Sequence, residues 1–429
     1  MISTSRWCRH ESGKTCRLSS HSVAEKGAQD NGGFKMSGPL DGVRVIDLTT
    51  IYSGPIATSI LGDHGADVVK IEAPGGEAMR PGFRHQRNGV SGPFAMMNRN
   101  KRSLVLDLSE DSGKRVLERL LAGGDVVVEN FRPGVMERLG FGWDRLQTLN
   151  SRLIYASING VGPTGPYANR RVYDAVIQAI SGMASLQADP KVERPQMINT
   201  LMCDKLTSIT AAQNICSALY AREKTGRGQR VEISMLDSSL FFLWPDSMGN
   251  FTFVGDDIPK TPYGSHAHFV RQTKDGYIAT MPVQPAEWSG LFTALELDAL
   301  LADERFATPR ARQANSVLFQ QLITDSYARF TTAELVERLS ENEVPFAEIN
   351  SREAVIEDPQ VKAMGALVEF EHPFGGAMRQ PRPPGRFSDT ETDIFRCSPQ
   401  LGEHTDDVLD EYGFDSDEIQ ELRDQGTVA

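Results

Sequence analysis

Two carboxylates stand at the start of apolar helical stretches. Asp174 follows Arg170-Arg171-Val172-Tyr173, and Asp204 lies within the run LMCDKLTS. An acid in either place serves as a helix cap or first-turn charge, worth roughly 0.5–2 kcal/mol, and its local sequence alone raises neither above that role. Gly160-Val161-Gly162-Pro163-Thr164-Gly165 follows a strand and has the spacing of a dinucleotide-binding loop. That chemistry needs a helix to open there, with N–H groups aimed at pyrophosphate. Pro163 removes one donor, and Gly165-Pro166-Tyr167 breaks any helix. The motif therefore reads as a shaped loop at a strand's C-terminal end. No HExxH, Walker A or GxSxG pattern occurs. The eight histidines are scattered without metal-ligand spacing; His266 and His268 read as surface residues.

The elements that must position these groups alternate. Strand-length apolar runs lie at Val43–Leu48, Asp67–Glu72, Ser103–Leu108, Asp125–Val128 and Leu153–Ile158. Between them fall helical stretches: one spans Pro55–Asp63 with Pro in its first turn, and another is capped by Ser109. This alternation predicts parallel βαβ units and a doubly wound, Rossmann-like sheet. After Pro166, helices are expected over Tyr173–Ser185 and Asp204–Lys224. The second ends in the turn TGRGQ before a strand at Arg230–Ser234. We read residues 36–250 as a large domain, completed by residues 385–429. Residues 251–384 read as a smaller α+β domain with its linkers. Residues 1–35 are polar and Ser-rich without apolar periodicity, a disordered tail or an upstream extension.

Composition narrows the function. The 429 residues are 40% hydrophobic and 24% charged, with net charge -12. An acidic chain is poorly suited to tracking nucleic-acid phosphates. No apolar run approaches the roughly 20 residues of a membrane helix. The five cysteines form no CxxC pair, which reads as a reducing, cytoplasmic setting without disulfides or zinc.

Seven segments, in order, carry a resemblance. They are PLDGVRVIDLT, SGPIATSILGDHGADVVKIE, NRNKRSLVLDL, VVVENFRPGVMERLGFGWD, TGRGQRVEISMLD, VPFAEINSREAVIEDPQV and LGEHTDDVL. From about Pro39 to Val428 the chain resembles the family III CoA-transferases, which include formyl-CoA transferase, carnitine CoA-transferases and α-methylacyl-CoA racemase. The resemblance implies that coenzyme A moves from an acyl-CoA to a small carboxylic acid. It makes Asp204, early in the helix before TGRGQ, the nucleophile that carries CoA. It places CoA contacts at Ile51, Tyr52, Ser53, Leu106, Asn130, Phe131, Arg138, Arg171 and Met235. Arg138 and Arg171 suit its phosphates. It further implies a homodimer of interlocked rings, with no metal and no organic redox cofactor.

Departures are informative. Where members often place a basic residue near the nucleotide, this chain has Ala73 and Ser109. Formyl-CoA transferase carries a run of glycines over its active site, whereas Tyr263-Gly264-Ser265-His266 holds one. This argues against formate and oxalate as substrates. The racemases place a His where Tyr173 stands, next to an acid equivalent to Asp174. A phenol is a poor base at neutral pH, so Tyr173 is expected to hydrogen-bond and shape the pocket. Transferase is the first reading. Acyl-CoA racemase or isomerase, and a non-catalytic acyl-CoA-binding homologue, remain alternatives.

Overall fold

The computed structural model describes residues 6–9, 15–18, 38–81, 86–188, 194–255 and 269–429. The chain separates into two compact units, residues 1–259 with 364–429, and residues 260–363.

The larger unit is built on six parallel strands. These are β1 (Arg44–Asp47), β2 (Asp67–Glu72), β3 (Lys101–Val105), β4 (Val126–Glu129), β5 (Ile154–Asn159) and β6 (Arg230–Ser234). Their spatial order is β3-β2-β1-β4-β5-β6. This is a doubly wound sheet whose order reverses between β1 and β4. Helices α1 (Ser53–Asp63) and α2 (Asp111–Gly123) follow β1 and β3. Helices α3 (Asp174–Ile180), α4 (Met202–Thr225) and α5 (Met235–Ser247) lie around β6 in sequence.

Both faces of the sheet are covered, so its strands read as near-continuous apolar runs. In β4, Val126 and Val128 pack with Ala57 and Leu61 of α1 and Ala211, Ile215 and Ala218 of α4. Val127 turns to the opposite face, toward Val116, Leu117 and Leu120 of α2. Val408, Leu409 and Ile419, from near the C-terminus, complete that second face. The turn after α4 needs two glycines. Gly226 caps the helix in the left-handed conformation at φ 70°. A Cβ on Gly228 would lie 2.0 Å from the Leu153 carbonyl oxygen.

Several boundaries differ from the sequence reading. The third strand begins two residues earlier, at Lys101, and ends at Val105. The reason is electrostatic: Lys101 and Arg102 are paired by Asp47 of β1 and Asp67 of β2, so charged residues occupy the strand. Ser109 does not cap α2; its hydroxyl donates to Asp107 and the cap position falls to Glu110. The helix expected over Tyr173–Ser185 breaks at Gly182, which has φ 89°. No helix opens at Gly160–Gly165.

The second unit pairs a three-stranded antiparallel sheet with helices. Its strands are Val270–Gln272, Tyr277–Thr280 and Phe346–Glu348. Phe292, Phe319, Tyr327 and Leu335 form its core. Residues 6–9 and 15–18 pair antiparallel, and Leu18 meets Phe370 of a further strand. The sequence reading expects no regular element there. The rest of residues 1–37, with His266, His268 and the Tyr263–His266 stretch, lies outside the described residues. No helix among the described residues is long and apolar enough to cross a membrane.

One buried cluster underlies the sheet's C-terminal end. Lys101 Nζ donates to Asp47 Oδ2, the Pro55 carbonyl and Asn98 Oδ1, each at 2.9 Å. Burial drives the Lys101 ammonium down to about 8, with Asp47 opposing it. Removing one partner from such a pair strands the other charge, at a cost of about 3–5 kcal/mol. Lys101→Met should lose about that much stability in chemical denaturation. A loss below about 1 kcal/mol would show that the pair is not structural.

Candidate active site

The chain leaves β1 through a strained turn. Ile51 has φ 74°, a conformation costing a β-branched residue roughly 1–3 kcal/mol. Successive backbone groups of the turn are each held by a side chain from elsewhere. Lys70 Nζ donates to the Thr49 carbonyl at 2.9 Å. Asn130, just past β4, accepts from Thr50 N–H at 2.9 Å and donates to its carbonyl at 2.8 Å. Glu77 Oε2 accepts from Ile51 N–H at 3.2 Å. The Thr49 N–H and hydroxyl both donate to Asp47 Oδ1. Below them Lys101 and Lys70 outweigh burial and hold the Asp47 carboxyl below its ordinary range.

This turn delivers Tyr52 and Ser53 to the start of α1, beside the start of α4. Ser208 of α4 donates to the Ser53 carbonyl at 2.8 Å. Asp204, in the first turn of α4, is 9% exposed. The same Ser208 hydroxyl reaches the Asp204 carbonyl at 2.7 Å, and the Ser53 side chain favours the ionised form of the Asp204 carboxylate. Asp174 approaches from α3 and is 2% exposed. Its Oδ2 accepts from the Asp204 backbone N–H at 3.0 Å, and its Oδ1 accepts from Gln178 at 2.6 Å. Asp174 therefore caps a helix other than its own. The local sequence hides this role, because the two residues are 30 apart.

Two carboxylates now share a water-poor place. Burial pushes the Asp204 carboxyl up to about 7, and Asp174 adds to the rise; Ser53 and Lys205 pull against it. Burial also raises the Tyr52 phenol, with the Asp204 charge as the second cause. Cys203, between the same groups, is raised to about 11, chiefly by burial.

The other sequence-derived positions fall at the same end of the sheet. Ile51, Tyr52 and Ser53 follow β1. Leu106 follows β3, Asn130 and Phe131 follow β4, and Met235 follows β6. Arg138 ends a short helix after β4, and Arg171 lies between β5 and α3; both are exposed. The Asn130–Thr50 pair joins the β1 and β4 groups directly. Leu106 lies in the core at 1% exposure, and its N–H donates to the Glu72 carbonyl at 2.7 Å. Met235 packs against Cys203 and Ile177. Tyr173 is 70% exposed and its side chain does not cap α3. A cleft of about 170 Å³ lies beside β5 and β6 and the segment after β4, lined by Phe131, Arg132, Tyr155, Asn159 and Arg230 among others.

The sequence reading missed the supporting cluster of Asp47, Lys70, Glu77, Asn98 and Lys101. Its signal was present: a Lys inside the apolar strand DVVKIE, and the polar run NRNKRS at a strand's start. No group of three His, Cys, Asp or Glu able to hold a metal occurs among the described residues.

The Asp204 environment has a thermodynamic signature. Its folded pKa of about 7 lies above the unfolded value near 3.9, so ionisation costs stability in the fold. That cost is absent below about pH 4, grows as pH rises toward 7 and is complete above it. Asp204→Asn, which cannot ionise, should melt higher than the native chain at pH 8, by roughly 2–4 kcal/mol of stability. The difference should vanish near pH 4. A difference constant with pH would contradict the assigned environment.

Comparison with known proteins identifies the family. The model of CoA-transferase family III matches residues 40–405. A formyl-CoA:oxalate CoA-transferase of Streptomyces avermitilis is 34% identical, over 92% of this chain and 100% of its own. A succinate–glutarate CoA-transferase of Agrobacterium fabrum is 34% identical, over 87% of this chain and 95% of its own. The crystal structure of a CAIB/BAIF family protein from Brucella suis superposes with TM-score 0.75 and 32% identity, covering 88% of this chain and all of that one. The chain belongs to CoA-transferase family III, and it is an enzyme of the transferase class.

Proposed function

We propose that the enzyme moves CoA from an acyl-CoA to a small carboxylic acid, with Asp204 as the covalent carrier. The observation that carries this reading is a buried carboxylate at a helix start, beside the reversal point of a doubly wound sheet. Ligands of such sheets lie outside the carboxyl ends of the strands at that point. The nine positions named above would line the CoA, with Arg138 and Arg171 meeting its phosphates from the exposed rim.

The steps balance without an outside reagent. An Asp204 oxygen attacks the thioester carbonyl, the C–S bond breaks, and a mixed anhydride and CoA thiolate form. The thiolate attacks the Asp204 carbonyl carbon, the donor acid leaves as its carboxylate, and an aspartyl-CoA thioester remains. The acceptor carboxylate attacks that thioester and releases the thiolate. The thiolate then attacks the acceptor's acyl carbon, giving the new acyl-CoA and free Asp204. Burial serves this cycle because water would hydrolyse either activated intermediate. The positive end of α4 and the Ser53 hydroxyl favour negative charge at the carbonyl under attack. A carboxyl raised toward 7 is more nucleophilic once ionised than an ordinary aspartate.

The named relatives act on formyl-CoA with oxalate, and on succinate with glutarate. The single Gly264 where formyl-CoA transferase has a glycine run favours other small acids for this chain. We also propose an interlocked homodimer. Phe241 (82% exposed), Phe253 (70%) and Val254 (98%) lie in and just after α5, and such clustered apolar exposure marks an association surface. Sedimentation at nanomolar concentration should still show the dimer; a reversible native monomer would exclude interlocking.

A panel of acyl-CoA donors, with succinyl-CoA included, tests the chemistry. Mass spectrometry should find CoA on the peptide containing Asp204, removable by hydroxylamine. Its rate of formation should rise with pH through about 7. Asp204→Ala should abolish transfer and leave CoA affinity within about threefold. Transfer retained by that variant would place the nucleophile elsewhere.

A further inference from the structure

Glu77 has no place in the chemistry just described, yet its side chain is 1% exposed. It sits in the loop after β2 and faces three elements. Its Oε2 accepts from Ile51 N–H at 3.2 Å and lies 3.4 Å from Lys70 Nζ; its Oε1 accepts from Asn98 at 3.4 Å. Its own N–H donates to Glu72, which Arg80 pairs. The bond to Ile51 ends on the residue with φ 74°. Without a partner, that N–H would favour relaxation of a β-branched residue out of the left-handed region. The next two residues are Tyr52 and Ser53, the groups that face Asp204.

We infer that Glu77 is a positioning residue for CoA transfer: it locks Ile51 in its left-handed conformation and so holds the Ser53 start of α1 against the first turn of α4, where the Ser208 hydroxyl reaches both the Ser53 and Asp204 carbonyls (2.8 and 2.7 Å). The inference rests on Asp204 as the carrier, but its geometry stands without that chemistry. A purely structural role, neutralising Lys70, is the competing account. The two separate cleanly because Lys70 needs only a charge, whereas Ile51 needs an acceptor at a particular reach. Glu77→Asp keeps the charge and draws the oxygens back by one methylene. Ile51→Gly removes the need for a lock, since glycine populates positive φ about as readily as negative.

The readout is the folded-state ionisation midpoint of Asp204, taken as the pH at which the growing stability difference between each variant and its Asp204→Asn counterpart levels off. This midpoint reports the proton affinity of Asp204 and needs no substrate. The groups facing that carboxylate are Asp174 from α3, Ser53 and Tyr52 from the turn, and Lys205 and Cys203 on its own helix. None of them is altered. Moving Ser53 away raises the midpoint, because its side chain favours the ionised form.

Glu77→Asp should raise the midpoint by about one unit, a tenfold gain in proton affinity. Ile51→Gly alone should shift it by less than half as much. In the Ile51→Gly background, Glu77→Asp should lose at least half of its effect. A midpoint unmoved by Glu77→Asp, with a lowered melting temperature, would reduce Glu77 to a counter-ion and overturn the inference. An equal shift in both backgrounds would also overturn it. Absence of the Asp204 adduct in the native chain would instead reject the proposed chemistry, leaving these midpoints interpretable.

Discussion

A chain that must carry a nucleophile at the open end of a parallel sheet needs a rigid turn there, and rigidity here comes from buried charge. Lys101 and Lys70 enter the sheet from β3 and β2 and meet Asp47 and Glu77 (Lys101–Asp47 2.9 Å, Lys70–Glu77 3.4 Å). Unpaired, any of these groups would be costly. Paired, they fix the carbonyl of Thr49 and the N–H of Ile51. A strained turn persists only where its surroundings over-determine it. Three side chains on three consecutive residues meet that requirement.

The turn in turn sets the environment of Asp204. Ser53 is delivered to the carboxylate from α1, and Asp174 holds the backbone of the same residue from α3. The two carboxylates have separate duties. Asp174 accepts hydrogen bonds at both oxygens, from Gln178 and from the Asp204 N–H, and so serves the helix start. Asp204 is the one left facing Tyr52 and Ser53. Burial makes it a stronger base than a surface aspartate.

The architecture was largely legible. The runs DVVKIE and RVEIS became β2 and β6 at the residues expected: β2 is buried almost throughout, and β6, at the sheet edge, turns Val231 and Ile233 to the core. The alternation of strand and helix fixed a parallel sheet. What misled was local charge. The run NRNKRS reads as a polar connection, yet its Lys and Arg open β3, because their partners, Asp47 and Asp67, are 54 and 35 residues away. The cap role of Asp174 was likewise hidden, since its recipient belongs to another helix. Asp204 itself was reached through resemblance to a family, and its first-turn position alone would have left it a cap. Ile51 carries no sequence mark of a positive φ, which glycine or asparagine would have shown.

The central claim is that the oxygens of Asp204 pass through the transferred acids. The direct measurement uses an acceptor acid labelled with oxygen-18 in its carboxylate, followed by mass spectrometry of the peptide containing Asp204. In the proposed cycle the acceptor's attacking oxygen bridges the second anhydride and remains on Asp204 when the thiolate takes the acyl group. The peptide should gain the label during turnover, and only with both donor and acceptor present. Transfer that proceeds while Asp204 stays unlabelled would contradict the account.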